Sequence, residues 1–147
     1  RQRIIIKLDV INLMTAERLR QYKSIKAEIE ELAEQIQMLE SSDIVQGSDR
    51  EFPYIKHNMK VETGECDHTR DMLKKELGLL KAEYHALNEF INNIADSETR
   101  RIFRYRYIEG WTFQKIAFKV GNGDEQVPRK KHNNFLKKYE KYENHML

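Results

Sequence analysis

From Tyr22 the apolar side chains fall at Tyr22, Ile25, Ile29, Leu32, Ile36 and Leu39, with spacings that alternate three and four. This alternation lines a narrow seam on one helix face, the pattern of a coiled-coil partner. Glu28, Glu30, Glu31 and Glu34 take the other faces, and the pattern predicts one long helix over 13–40. A second seam runs Leu73, Leu77, Leu80, Tyr84, Leu87, Ile91 and Ile94, predicting a helix over 69–95. Each helix is about 40 Å long at 1.5 Å per residue. Neither seam can stay wet, so the two are expected to pair as an antiparallel hairpin, within the chain or across a dimer.

The link between them, residues 41–67, opens with Ser, Asp and Gly, which end the first helix. Pro53 biases Phe52 toward extended backbone, and Tyr54, Ile55, Met59 and Val61 give a weak alternation compatible with a short hairpin. So long a link between paired helices reads as a functional tip or a mobile loop.

The last third has another rhythm. Residues 97–108 read as a helix opened by Ser97 as N-cap with Glu98 behind it, and Glu109-Gly110 ends it. Thr112 caps a short helix, FQKIAFKV, which stops at Gly121 to Asp124. A final helix runs from Glu125 or Pro128 to about Tyr142. Three helices with a tight Gly-containing turn between the second and third make a helix-turn-helix. Ala117 is small because two helices cross there, and Gly121 or Gly123 permits a left-handed turn. Trp111, Phe113, Ile116, Val120 and Val127 are expected to fill the core with Ile102, Phe103 and Tyr107. The fold class is therefore all-α, with a coiled-coil-like hairpin arm over 1–96 and a helix-turn-helix domain over 97–147.

Composition sharpens this picture. Of 147 residues, 39% are apolar and 34% charged, with 6 Gly and 2 Pro, which fits solvated helices around a thin core rather than an all-β fold. No apolar run is long enough to cross a membrane. The start, RQRIIIKLDVINLM, is broken by Lys7 and Asp9 and does not read as a signal peptide. One Cys excludes an internal disulfide framework and fits a reducing cytosol. Net charge is +2, but residues 97–147 hold 12 Lys/Arg against 6 Asp/Glu, whereas residues 1–96 hold 14 against 18. A basic module at +6 thus follows an acidic one at −4, the asymmetry expected where only the C-terminal part meets a polyanion.

The stretch RRIFRYRYIEGWTFQKIAFKVG resembles region 4 of sigma-70-type factors, in particular the sigma-like regulators of late transcription of phages and prophages of Gram-positive bacteria. The resemblance lies in Arg106-Tyr107-Ile108-Glu109-Gly110, the aromatic and hydroxyl pair Trp111-Thr112, Ile116-Ala117, and Gly121 four residues on. It is specific over roughly residues 97–136. The long acidic helix, the EFPY-containing link and the second helix are also similar to the N-terminal part of those proteins. Two departures stand out: Asp124-Glu125-Gln126-Val127-Pro128 replaces a hydroxyl-rich entry to the last helix, and Lys115 takes the place of a capping-box acid. The resemblance implies a cytoplasmic, nucleoid-associated regulator that binds double-stranded DNA and contacts host RNA polymerase, with the helical arm serving self-association or that contact.

In such a motif the N-terminal half of the last helix faces base edges. With Val127, Phe135 and Tyr139 toward the core, Gln126, Arg129, Lys130, Asn133 and Lys137 face outward. Arg129 has the geometry to read guanine and Asn133 adenine. Lys130 and Lys137 suit phosphates, as do Thr112, Gln114 and Lys115. Arg100, Arg101 and Arg104 form a further basic group for phosphates or a protein. Enzyme chemistry is not expected. Cys66-Asp67-His68 with His57 lacks a recurrent metal-ligand spacing, no base is placed beside Cys66, and Gly121 to Gly123 is a turn without a phosphate-loop context. No cofactor is expected either. Two other readings compete: a small terminase subunit, which joins a helix-turn-helix to oligomerising helices, and a coiled-coil adaptor whose basic tail binds an acidic partner.

Overall fold

The computed structural model describes residues 14–42, 44–48, 56–60, 64–121 and 123–146. The described chain is built from helices and one two-stranded ribbon, an all-α class. In order it holds α1 (Ala16–Arg20), α2 (Tyr22–Ser42), β1 (Ile44–Ser48), β2 (Lys56–Lys60), α3 (Gly64–Asn92), α4 (Ser97–Phe103), a π-helical turn (Arg104–Ile108), α5 (Phe113–Val120) and α6 (Gln126–Met146). No described helix is long and apolar enough to cross a membrane.

The described residues fall into two compact units, one within residues 25–83 and one joining those up to 24 with those from 84 on. In the first, the seam positions Ile25, Leu32 and Ile36 are buried, at 6 to 8% exposure, as the three-four spacing requires. Leu73, Leu77 and Leu80 of α3 are half-buried. Glu40 pairs with Lys74 across 3.1 Å, an exposed contact of little energetic weight. The 41–67 link contains the antiparallel ribbon, with Ile44 opposite Lys60 and Ser48 opposite Lys56. Of the residues proposed for such a hairpin, Met59 lies on β2, while Tyr54, Ile55 and Val61 fall outside the described residues.

The second unit carries the larger core. The helix expected over 13–40 breaks once: Thr15 accepts from the Arg18 N–H to cap α1, and α2 starts afresh at Tyr22. The Tyr22 hydroxyl lies 2.9 Å from that of Tyr84 and donates to Asn88 Oδ1 (2.8 Å). Burial first, and then the Tyr84 hydrogen bond, push the Tyr22 hydroxyl up to about 12. The start of α2 thus meets the late part of α3, and Glu40 near its end meets the earlier Lys74. This order is compatible with the antiparallel pairing read from the seams.

Leu87, Ile91 and Ile94 are fully or almost fully buried with Ile102, Phe103 and Ile116. The Phe103 ring is the hub. It lies 4.8 Å from His132, 5.3 Å from Phe135, 5.7 Å from Tyr107 and 6.4 Å from Phe90 between ring centroids. These spacings are those of favourable aromatic pairs. Asp96, not Ser97, caps α4: its carboxylate accepts from the Thr99 N–H (2.9 Å) and hydroxyl (2.6 Å). Those two hydrogen bonds hold the Asp96 carboxyl below the usual range. The helix expected over 97–108 changes character at Arg104, where a π turn inserts an extra residue and the Glu109 N–H reaches back to the Arg104 carbonyl. It ends at Ile108, and the chain then turns at Gly110, whose φ of +73° favours glycine. Lys23 donates to the Glu109 carbonyl there (2.9 Å).

Candidate nucleic-acid interface

Helices α4, α5 and α6 pack on one another in an arrangement compatible with a helix-turn-helix. Thr112 caps α5 by accepting from the Lys115 N–H (3.3 Å), and Ile116 and Ala117 turn inward. After Val120 the chain turns through Gly123, at φ +81°, while Gly121 keeps an extended backbone. The left-handed position is therefore Gly123. Asp124 then accepts from the Gln126 N–H (2.9 Å) and opens α6. Pro128 is the third residue of α6, within the first turn, where its missing N–H has no intrahelical carbonyl to lose.

The register of α6 differs from expectation. Pro128, His132 and Leu136 are buried, with Phe135 and Tyr139 half-buried, and Val127 is 48% exposed. Val127 therefore does not fill the core, and Trp111, Phe113 and Val120 are only half-buried. The reason is geometric: positions 128, 132 and 136 recur every four residues and share a face, so 127 lies about 100° round the helix. The opposite face bears Gln126, Val127, Lys130, Asn133, Asn134, Lys137, Lys138 and Lys141, all exposed. Four of the five residues expected to face outward do so. Asn134, which the sequence reading passed over, lies nearer the middle of this face than Asn133.

Arg129, the fifth, is half-buried. Its guanidinium pairs with Glu125 (3.3 Å) and lies 5.5 Å from the Phe113 ring centroid, which holds it at the edge of the face. Thr112, Gln114 and Lys115 at the start of α5 are exposed. The arginine group is divided: Arg100 donates to the Ile94 carbonyl (2.8 Å) and Arg104 to Asn92 Oδ1 (2.7 Å). The first ties α4 to the segment just after α3 and the second ties the π turn to the last residue of α3; Arg100 is half-buried, while Arg101 and Arg104 are exposed.

An aromatic ladder that sequence reasoning missed organises the cations beside α5. Tyr105 and Trp111 stack almost parallel, with centroids 4.5 Å apart and planes at 7°. Lys115 Nζ sits 4.0 Å from the Trp111 centroid and the Arg101 guanidinium 6.0 Å from that of Tyr105. Cation–π attraction thus holds two positive charges at fixed places on the surface. Arg106 completes a second pairing, 4.4 Å over Phe113, and donates to the Trp111 carbonyl (3.0 Å).

Beneath the face runs a polar chain. His132 Nδ1 lies 2.9 Å from Asn133 Oδ1, and Nε2 lies 2.5 Å from the Tyr107 hydroxyl. An amide oxygen only accepts, so the assignment consistent with these contacts puts the proton on Nδ1 and makes Nε2 the acceptor from Tyr107. Burial pushes the Tyr107 hydroxyl up to about 12. Burial also holds His132 below its ordinary range, opposed by the Asn133 hydrogen bond and aided by the charges of Arg106 and Arg20. The folded chain therefore binds this proton less readily than the unfolded chain. The stability this provides is complete above about pH 6.5 and is lost as pH falls through the lower folded value. Thermal melts should show Tm falling from pH 7 toward pH 5, with a smaller fall in His132→Gln. An equal fall in the variant would assign the acid sensitivity to other groups.

Among the described residues no cluster of three or more His, Cys, Asp or Glu side chains is placed to hold a metal ion. The side chains of Cys66 and His57 lie outside the description. No protein-family model, curated protein or solved structure matches this chain.

Proposed function

We propose that this chain is a sequence-specific DNA-binding transcription regulator of phage type, similar to sigma region 4. In this reading the exposed face of α6 enters the major groove, and the helices of residues 25–83 serve self-association or contact with RNA polymerase. One observation carries the reading: a single face of α6 gathers Lys130, Lys137 and Lys138 with the amides of Gln126, Asn133 and Asn134, while the opposite face is buried. Cations beside amides are what phosphate contact and base readout need together. The ladder supports it further, since Lys115 and Arg101 stand ready for backbone phosphates at the start of α5 and on α4. Half-buried Leu73, Leu77 and Leu80, with exposed Met72 and Leu79, leave apolar surface on α3 for the association step.

Arg129 and Lys137 separate base reading from phosphate contact. Replacing Arg129 by Ala is expected to cost about 1–3 kcal/mol on a selected site and to relax base preference there. Replacing Lys137 by Ala should weaken all duplexes alike and reduce the salt slope by about 1. Anisotropy titrations on selected and scrambled duplexes measure both. Equal loss on all duplexes for Arg129→Ala would remove it as a base reader.

A further inference from the structure

Val127 is the residue whose placement the sequence pattern gets most plainly wrong, and its exposure needs a reason. It is the second residue of α6. One side of it lines a small cavity of about 20 Å³ with Ala117, Val120 and Pro128, yet 48% of its surface is open. Helical spacing puts Lys130 one turn on and Asn134 two turns on along the same strip, and both are exposed. The strip is thus an apolar group at the N-terminal end of a helix face, followed by a cation and an amide. The branched side chain has few rotamers.

In DNA's major groove one chemical group calls for an apolar contact, the C5 methyl of thymine. The N-terminal residues of a recognition helix are those that reach base edges. We infer that Val127 is a specificity-determining residue that packs its exposed methyls against a thymine C5 methyl. This rests on the DNA-binding reading given above. Charge along the helix face favours a duplex as occupant: Lys130 lies one turn on from Val127, and Lys137 and Lys138 follow further along the same face, while the acidic Glu98 and Asp124 line the cavity on the inner side.

The test replaces thymine by uracil, which removes the methyl and leaves the base-pairing edge unchanged. A site is first enriched from a random-sequence duplex library with the full chain. Each thymine in it is then replaced singly by deoxyuridine, and affinities are measured for the native chain and for Val127→Ala. One position should bind the native chain about fourfold more weakly as uracil, the factor for one methyl group returned to water. The thymine-to-uracil ratio there should fall to about one in Val127→Ala. Because Val127 is half open, the variant is expected to keep its fold, which a melting curve checks. Lys130→Ala should weaken the thymine and uracil duplexes by the same factor. No uracil effect in the native chain, or the same effect in Val127→Ala, overturns the assignment and leaves DNA binding intact. An enriched site without thymine also overturns it. Failure to bind any duplex overturns the DNA-binding reading and this inference with it.

Discussion

Phe103→Ala is expected to cost about 3–5 kcal/mol, the range for removing a fully buried aromatic side chain. Phe103 has no exposed surface and touches rings from α3, the π turn and α6. Truncation would leave a cavity lined by rings that cannot all collapse into it, because each is fixed by its own helix. Against a typical total of about 5–15 kcal/mol, that loss is large, and Tm should fall by roughly 12 °C or more. Urea melts followed by far-ultraviolet circular dichroism measure it. The fluorescence of Trp111, the single tryptophan, reports the same unit independently. Phe118→Ala provides the internal contrast: that ring is 72% exposed, and its removal should change stability by about 0.5 kcal/mol or less. Similar losses for the two would mean that the ring cluster around Phe103 is not the core.

The long helices were legible because periodicity is a property of the sequence itself. Ile25, Leu32, Ile36, Leu87 and Ile91 are buried where the three-four spacing puts them. Helix ends were less legible. Asp96 and Ser97 are adjacent and both suited to capping, so one residue separated two good answers, and the carboxylate won by taking both Thr99 donors. The π turn over Arg104–Ile108 left no mark in the apolar pattern, because Tyr107 remains inward across the extra residue.

The site was legible where charge alone decides. Lys130 and Lys137 could only face outward, and they do. It was illegible where a partner is remote in sequence. Nothing local ties Arg104 to Asn92 or Arg100 to the Ile94 carbonyl, yet these contacts decide what the two arginines do. The α6 register did carry a signal, the spacing of four in Pro128, His132 and Leu136. The polar character of His132 disguised it, since its burial depends on the Tyr107 hydroxyl and the Asn133 amide. As a large aromatic beside the apolar positions of α5, Trp111 reads as core from the sequence. Here it stacks on Tyr105 and carries Lys115 on the surface.

The second large effect concerns DNA itself. If Lys115, Lys130, Lys137 and Lys138 each neutralise one phosphate, log affinity should fall against log salt with a slope of about −3.6. Between 50 and 200 mM salt that is a loss on the order of a hundredfold. Replacing Lys130, Lys137 and Lys138 together by Ala should remove about three-quarters of the slope, roughly 0.9 for each lysine. A random-sequence duplex suffices as probe, since this contribution carries no base information. The measurement is fluorescence anisotropy of that duplex across a salt series, with the native chain and the triple variant side by side. A linear decline that flattens in the variant is the expected result. Absence of binding by the native chain even at low salt, or an unchanged slope in the variant, would contradict the assignment of α6 as a DNA-contacting helix.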